Sequence, residues 1–202
     1  MTKPRTETEI APELLAAVLA DDPAAFDLWY RSEHPTVYRL CVGLLAEAAE
    51  AEDAAQDAML HLHDKLHHFD VRRAYEPWRN TVVLNLCRDR LRRMATRRAA
   101  ESVEPLPPYL PRPDEVAHSR ELAQMLQTAL AELTPREREA FVLRDLSGNS
   151  TAATAEALGV TAGTVRSLLT LARRRLRRLL GPRLPEYSGA PSSSSVVEGD
   201  RS

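Results

Sequence analysis

Cysteine is almost missing from this chain: among 202 residues there are only Cys41 and Cys87. Each stands in an apolar helical context with no metal-ligand spacing around it, so neither a disulfide framework nor a metal site can be read from them. They read as core residues of a protein in a reducing compartment, with a redox pair as the other reading. Glycine is scarce at seven residues and aromatics make up 5%. A chain poor in both and rich in alanine, leucine and arginine favours helix over sheet. There is no secretory leader and no apolar run long enough for a bilayer, which predicts a cytoplasmic protein without membrane insertion. Catalytic signatures are missing too. No carboxylate pair has a metal-like setting, no glycine-rich loop cradles a phosphate, and no Ser-His or Cys-His arrangement has supporting spacing. No enzyme, cofactor or metal is expected.

What is there is charge, strongly segregated. The net charge of −2 hides two blocks. Residues 7–70 carry fourteen acidic side chains against Arg31, Arg39 and Lys65, a balance of −11. Residues 72–98 carry nine arginines against Glu76 and Asp89, a balance of +7. Such blocks suggest separate surfaces for separate partners.

The first block is helical in pattern. Residues 1–9 are polar and frayed in expectation. Pro12 to Ala20 predicts a short helix with Leu14, Leu15, Val18 and Leu19 as its apolar side. Asp22-Pro23 supplies an N-cap and a proline at the first helical position. It opens a helix whose apolar residues Phe26, Leu28, Trp29 and Tyr30 run toward Pro35. That proline should kink or break the helix before Val37 to Leu45 continue it. A long helix from Ala48 to His68 follows, with Ala51, Ala55, Met59 (or Ala58), Leu62 and Leu66 as its buried stripe. Glu52, Asp53, Gln56 and Asp57 cluster outside its first half. They suit the helix dipole and equally a basic docking partner, and the residues alone leave both open. His61, His63, His67 and His68 lack a completing ligand set and read as solvated histidines.

Beyond a loop at 69–77, Pro77 is expected to open a third long helix running to Arg98. Trp78, Val82, Val83, Leu86 and Leu91 offer core material, and Arg79, Arg88, Arg90, Arg92, Arg93, Arg97 and Arg98 dominate the rest. Phe69 and Tyr75 beside this arginine-rich helix could stack single-stranded bases, each worth roughly 1–3 kcal/mol. The competing reading, favoured for each singly, makes Phe69 and Trp78 core aromatics. Residues 99–118, with five prolines in ESVEPLPPYLPRPDEVAH, read as an extended linker and domain boundary.

Helices resume near Arg120, with Leu122, Met125, Leu126, Ala129 and Leu133 as an apolar side. TPRE at Thr134 to Glu137 is a capping box opening a helix through Phe141, Val142 and Leu146 to Gly148. STAATAEALGV then reads as a short helix ending at Gly159. Thr161 caps a long helix whose apolar stripe is Val165, Leu168, Leu169, Ala172, Leu176 and Leu179, and Gly181-Pro182 stops it. Arg166, Thr170, Arg173 and Arg177 share another side. From Arg166 to Arg183 there are seven arginines and no acidic residue. Short helix, glycine turn and capped helix with an arginine face form the pattern of a helix-turn-helix, whose second helix enters a DNA major groove. A solvated arginine face is the blander alternative, disfavoured because ordinary surfaces mix signs. The serine-rich tail, residues 184–202, is expected to be disordered.

The expected fold class is therefore all-α: two small helical domains joined by a Pro-rich linker, the C-terminal one a helix-turn-helix. The chain resembles the extracytoplasmic-function (ECF) sigma factors of bacterial RNA polymerase. The resemblance rests on AEDAAQDAML at 51–60, FD at 69–70, YEPWRNTVVLNLCRDRLRR at 75–93, LTPREREAFVLRDLSG at 133–148 and LGVTAGTVRSLLTLARRRL at 158–176, in that order. It implies sigma region 2 over 10–98 and sigma region 4 over 119–183. It further implies that Glu52, Asp53, Gln56 and Asp57 bind core polymerase at the clamp helices of its largest subunit. Phe69, Arg72, Arg73, Tyr75, Trp78, Asn85, Arg88, Arg92 and Arg93 would capture the unpaired minus-ten strand. Thr161, Thr164, Arg166, Ser167, Thr170, Arg173, Arg174 and Arg177 would contact the minus-thirty-five duplex. Arginine bonds guanine bidentately in the major groove, and the other basic residues neutralise phosphates. The partners implied are core RNA polymerase, promoter DNA and an anti-sigma factor, with a monomer when free of them.

Departures from the family pattern are Arg79 in place of leucine, Leu84 in place of arginine, Ala153-Thr154 for Glu-Ile, and Leu168 and Leu171 where arginine is common. They predict an atypical promoter preference. The reading from another class is a stand-alone helix-turn-helix regulator that binds duplex as a dimer without polymerase.

Overall fold

The computed structural model describes residues 10–45, 48–70, 73–101 and 117–181, and these are helical with short turns and no strand. Residues 1–9, expected to be frayed, most of the proline-rich segment and the serine-rich tail lie outside them.

Helix α1 (Pro12–Leu19) buries Leu15 and Val18. Helix α2 (Pro23–Leu45) starts where Asp22 Oδ1 accepts the Ala24 N–H at 2.9 Å. It runs unbroken through Pro35, against expectation. Glu33 and Val37, Leu40, Cys41 and Leu44 are buried on either side of the proline. Pro35 itself is exposed, so the hydrogen bond it removes lies at the surface, where water substitutes for it. The run Phe26, Leu28, Trp29, Tyr30 is not one face. Trp29 is fully buried but Leu28 is 58% exposed, because adjacent helical positions diverge by about 100°.

Helix α3 (Ala48–Leu66) places Ala51, Ala54, Ala55, Ala58, Met59, Leu62 and Leu66 in the core. Its small residues let α2 approach closely. Helix α4 (Tyr75–Glu101) begins two residues before Pro77 and ends past Arg98. Its buried side is Val82, Val83, Leu84, Cys87 and Met94, with Leu86 and Leu91 half-buried.

Arg79 does not join the outward arginines. It is 2% exposed and its Nη1 donates to Glu33 Oε2 at 3.0 Å. An acid on α2 thus accommodates the cation that stands where the family pattern has leucine. Burial pushes the Glu33 carboxyl up, and Arg79 pulls it back. Removing one member of such a pair leaves an uncompensated buried charge, so Glu33→Ala is expected to cost about 3–5 kcal/mol. Urea unfolding of the full chain measures it; a loss below about 1 kcal/mol would contradict this account of the pair.

The second lobe comprises α5 (Ala117–Ala131), α6 (Pro135–Phe141), a π turn (Val142–Leu146), α7 (Thr151–Leu158) and α8 (Ala162–Leu180). The predicted capping box at Thr134 and Glu137 is formed in both directions. The helix it opens does reach Leu146, but its last turn is widened: Ser147 N–H donates to the Val142 carbonyl at 2.9 Å. Gly159 turns the chain between α7 and α8 at φ 64°, a conformation that glycine adopts without a Cβ penalty. Thr161 Oγ1 accepts the Thr164 N–H at 3.1 Å and caps α8. Val165, Leu169, Ala172 and Leu176 are buried, as the periodicity predicts.

The two lobes touch. α2 packs against α5, α6 and the π turn, and α4 packs against α7. Ala140, Val142, Leu143, Ala155, Leu158, Val165 and Leu169 continue the apolar core of the first lobe.

Candidate nucleic-acid interface

The face of α8 away from the core holds the sequence-predicted duplex contacts. Arg166, Thr170, Arg173 and Arg177 fall within roughly 60° of the helix circumference, and all four are exposed. Ser167 and Arg174 flank them, and Thr161 and Thr164 sit at the exposed N-terminus, hydroxyl to hydroxyl at 2.9 Å. Ser167 Oγ donates to the Gly163 carbonyl and Thr170 Oγ1 to the Arg166 carbonyl, which leaves oxygen lone pairs outward as acceptors. Arg173 is already engaged. Its Nε and Nη2 donate to the two Asp145 oxygens at 2.8 and 2.7 Å, and this hydrogen bonding raises its pKa further. Of the departures here, Leu171 is 40% exposed on this helix and Leu168 is half-buried against the core. Thr154 is fully buried and its hydroxyl donates to the Ser150 carbonyl.

The other predicted strand-binding residues divide into two groups. Trp78, Asn85 and Arg92 recur every seven residues and so line one stripe of α4; Trp78 is half-exposed, and Asn85, Arg92 and neighbouring Arg93 are exposed. Arg92 also reaches Asp89 at 2.7 Å. Phe69 and Tyr75, by contrast, are only 9% and 7% exposed. Their rings pack on Trp78, with centroids 4.6 and 5.6 Å away, and the Tyr75 hydroxyl accepts from Trp29 Nε1 at 3.0 Å. Neither offers a face to an incoming base, which corrects the direct stacking role expected for them. They support Trp78 from behind, the core reading that was favoured for Phe69. Arg72 lies outside the described residues. Arg73 and Arg88 both end on carboxylates of the second lobe, Glu156 and Glu139.

Glu52, Asp53, Gln56 and Asp57 are exposed together on α3. Sequence reasoning missed what stands behind them. Arg90 of α4 donates to Glu50 at 2.8 Å, to Asp57 at 2.9 Å and to Asp53 at 3.5 Å. The hydrogen bond from Arg90 holds the Glu50 carboxyl below its usual range. These partners stand on separate helices, and no local spacing could have signalled them. Glu52 and Gln56 make no such contact, so half of the acidic face is free to meet a basic partner.

The remaining candidates settle into structural roles. Among the described residues no group of His, Cys, Asp and Glu could hold a metal. His61, His67 and His68 are exposed as expected, but His63 is half-buried, edge-on to Phe26 at 5.0 Å. Cys41 and Cys87 are buried with sulfurs 3.9 Å apart. The hydrogen bond to Cys41 and burial both push the Cys87 thiol up, which favours its protonated form. Among the described residues no helix is long and apolar enough to cross a membrane.

Comparison with known proteins gives these surfaces a context. Residues 29–98 match the Sigma-70 region 2 family, and residues 123–176 match the Sigma-70, region 4 family. The ECF RNA polymerase sigma factor SigM of Mycobacterium tuberculosis is 41% identical over 169 residues, which cover 84% of this chain and 84% of that protein. SigE of Mycolicibacterium smegmatis, also an ECF RNA polymerase sigma factor, is 32% identical over 79% of this chain and 64% of its own. Among solved structures, the fold is similar to that of the sigma factor RpoE in complex with the anti-sigma factor NepR from Bartonella quintana. The TM-score is 0.65 at 23% identity, covering 77% of this chain and 96% of that one.

Proposed function

This chain belongs to the ECF sigma factors of bacterial RNA polymerase, and from that membership we infer how its surfaces divide the work of promoter recognition. The family acts in transcription initiation and is not an enzyme class; the bond-forming chemistry is the polymerase's. The stand-alone regulator is set aside by that membership.

In this reading α3 docks the protein on core polymerase through Glu52, Asp53, Gln56 and Asp57. Trp78, Asn85, Arg88, Arg92 and Arg93 of α4, with Arg73 and Arg72 before it, hold the unpaired minus-ten strand. Trp78 is the base-stacking ring, and Phe69 and Tyr75 buttress it. Helix α8 lies in the major groove of the minus-thirty-five element. Arg166 and Arg173 reach base edges, and Thr161, Thr164, Ser167, Thr170, Arg174 and Arg177 reach bases or phosphates. The observation that carries this is the α8 face. It sets exposed arginines in register along a capped helix that follows a glycine turn, with no acidic residue from Arg166 to Arg178. Region 2 over 10–98 and region 4 over 119–183 are the corresponding domain limits, with α4 running on to Glu101 and α5 starting at Ala117, so the segment between the helices is shorter than the expected linker of 99–118. The free protein is a cytoplasmic monomer, and an anti-sigma factor restrains it, as NepR accompanies the structurally similar RpoE. If transcription is equally strong with every co-encoded candidate inhibitor present, the restraint is refuted.

The test mixes purified protein with core polymerase and recovers the genomic fragments that the complex retains. Enrichment of fragments sharing two short motifs, a fixed distance apart, is expected. Retention by the protein alone, without polymerase, would contradict the division of surfaces.

A further inference from the structure

One apolar side chain stands exposed in the middle of α8. Leu171 is 40% exposed on a helix whose other exposed side chains are arginine, serine and threonine. Packing accounts for the other leucines of the helix. Leu169 and Leu176 are buried, and Leu168, Leu179 and Leu180 rest half-buried on the two apolar cores. It does not account for Leu171.

An exposed leucine is common by itself; direction distinguishes this one. At 100° per residue, Ser167 and Arg174 lie about 10° from the direction opposite the buried stripe, and Leu171 about 50°. Arg166 and Arg173 lie about 90° and 110° from it. Long arginines reach round from the flank, whereas Leu171 already points outward. Thr164, Ser167 and Leu171 recur at i, i+3 and i+7, a spacing that sets successive side chains against base edges in a major groove.

Gly163 opens the same face. It is exposed, and a Cβ there would meet nothing nearer than Thr161 Oγ1 at 3.6 Å. No neighbour in the protein demands a glycine at that position, where it costs helix propensity. Bare backbone in the first turn suits the close approach of a second molecule. With no acidic residue from Arg166 to Arg178, that molecule is an anion such as duplex DNA.

Leucine neither donates nor accepts hydrogen bonds. Set against the polar edge of guanine, adenine or cytosine, it strips water from donors and acceptors and returns nothing. Thymine alone adds a C5 methyl to its groove edge, and an isobutyl group removes that methyl from water. We propose that Leu171 is a specificity-determining residue that packs on the C5 methyl of a thymine in the minus-thirty-five element. The protein thus selects a T·A pair at that position by apolar contact rather than by hydrogen bonding. The inference rests on the placement of α8 in the duplex major groove.

The test uses holoenzyme, made of the full chain and core polymerase, with the duplex that it retains most tightly. Each thymine of the minus-thirty-five element, on either strand, is replaced singly by deoxyuridine, which deletes the methyl and keeps base pairing. At one position the replacement is expected to weaken binding by the unmodified chain about fourfold, the worth of taking one methyl-sized group out of water. The same replacement should leave binding by Leu171→Ala nearly unchanged. That variant should bind the thymine duplex at least about fourfold more weakly than the unmodified chain. Leu171 is exposed and alanine is the better helix former, so the variant keeps its fold, which urea unfolding checks. A preferred element without thymine overturns the proposal, as does a duplex indifferent to every deoxyuridine. An equal loss in Leu171→Ala overturns it too, because another side chain then reads the methyl. In each of these cases specific retention of the element leaves the placement of α8 standing. If the holoenzyme does not distinguish the element from a scrambled duplex, that placement falls first and the role of Leu171 falls with it.

Discussion

The Glu52→Arg, Gln56→Arg double variant is expected to lose core polymerase binding by at least about a hundredfold while folding normally. Both side chains are exposed on α3 and neither takes part in the Arg90 network. The substitutions therefore take the four-residue face from a charge of −3 to neutral without stranding a buried partner. Two cations opposite a basic docking surface remove the net attraction and introduce local like-charge contacts, and such juxtaposition costs several kcal/mol. Asp53 and Asp57 are poorer probes. They also bridge α3 to α4 through Arg90, so reversing them mixes a docking effect with a packing effect. Co-elution with core polymerase reads the loss, and unfolding by urea confirms the fold. An unchanged affinity would remove α3 from the polymerase interface.

The second large effect is expected at α8. Arg166→Ala with Arg173→Ala should weaken duplex promoter binding by the holoenzyme roughly 10²–10⁴-fold if each arginine makes one bidentate base contact worth about 1–3 kcal/mol. The loss should be largest on the preferred minus-thirty-five sequence and small on unrelated duplex. Arg177→Ala, a phosphate contact in this reading, should instead weaken all duplexes evenly and lower the salt slope by about 1. Asp145→Ala separates the roles of Arg173. It frees the guanidinium that Asp145 now holds bidentately, and binding should then be kept or improved. Filter retention of labelled promoter against scrambled duplex measures all three.

The second lobe was legible because its signals are local. A capping box at Thr134 and Glu137, a turn glycine at Gly159, an N-cap at Thr161 and a 3.6-residue stripe each follow from a few adjacent residues. The acidic face of α3 was legible for the same reason. What escaped was set by distance in the chain. Glu33 with Arg79, Glu50 with Arg90 and Arg88 with Glu139 are separated by 46, 40 and 51 positions, and no periodicity links them. Pro35 misled because proline is judged on the hydrogen bond it removes, whereas burial on both sides of it keeps α2 continuous. Phe69 and Tyr75 misled because an aromatic in a loop beside arginines looks the same whether it faces a base or its neighbour Trp78. The departures Arg79 and Leu84 became intelligible only in three dimensions, one as half of a buried ion pair and the other as a fully buried core residue.

The central claim is that this chain confers promoter choice on core polymerase, and run-off transcription from a retained genomic fragment tests it most directly. Core polymerase alone should give no discrete transcript. Adding the protein should give one with a fixed start site, lost with the α3 double variant through polymerase binding and with the α8 double variant through promoter binding. No polymerase-dependent transcript, together with tight salt-sensitive duplex binding by the protein alone, would contradict it.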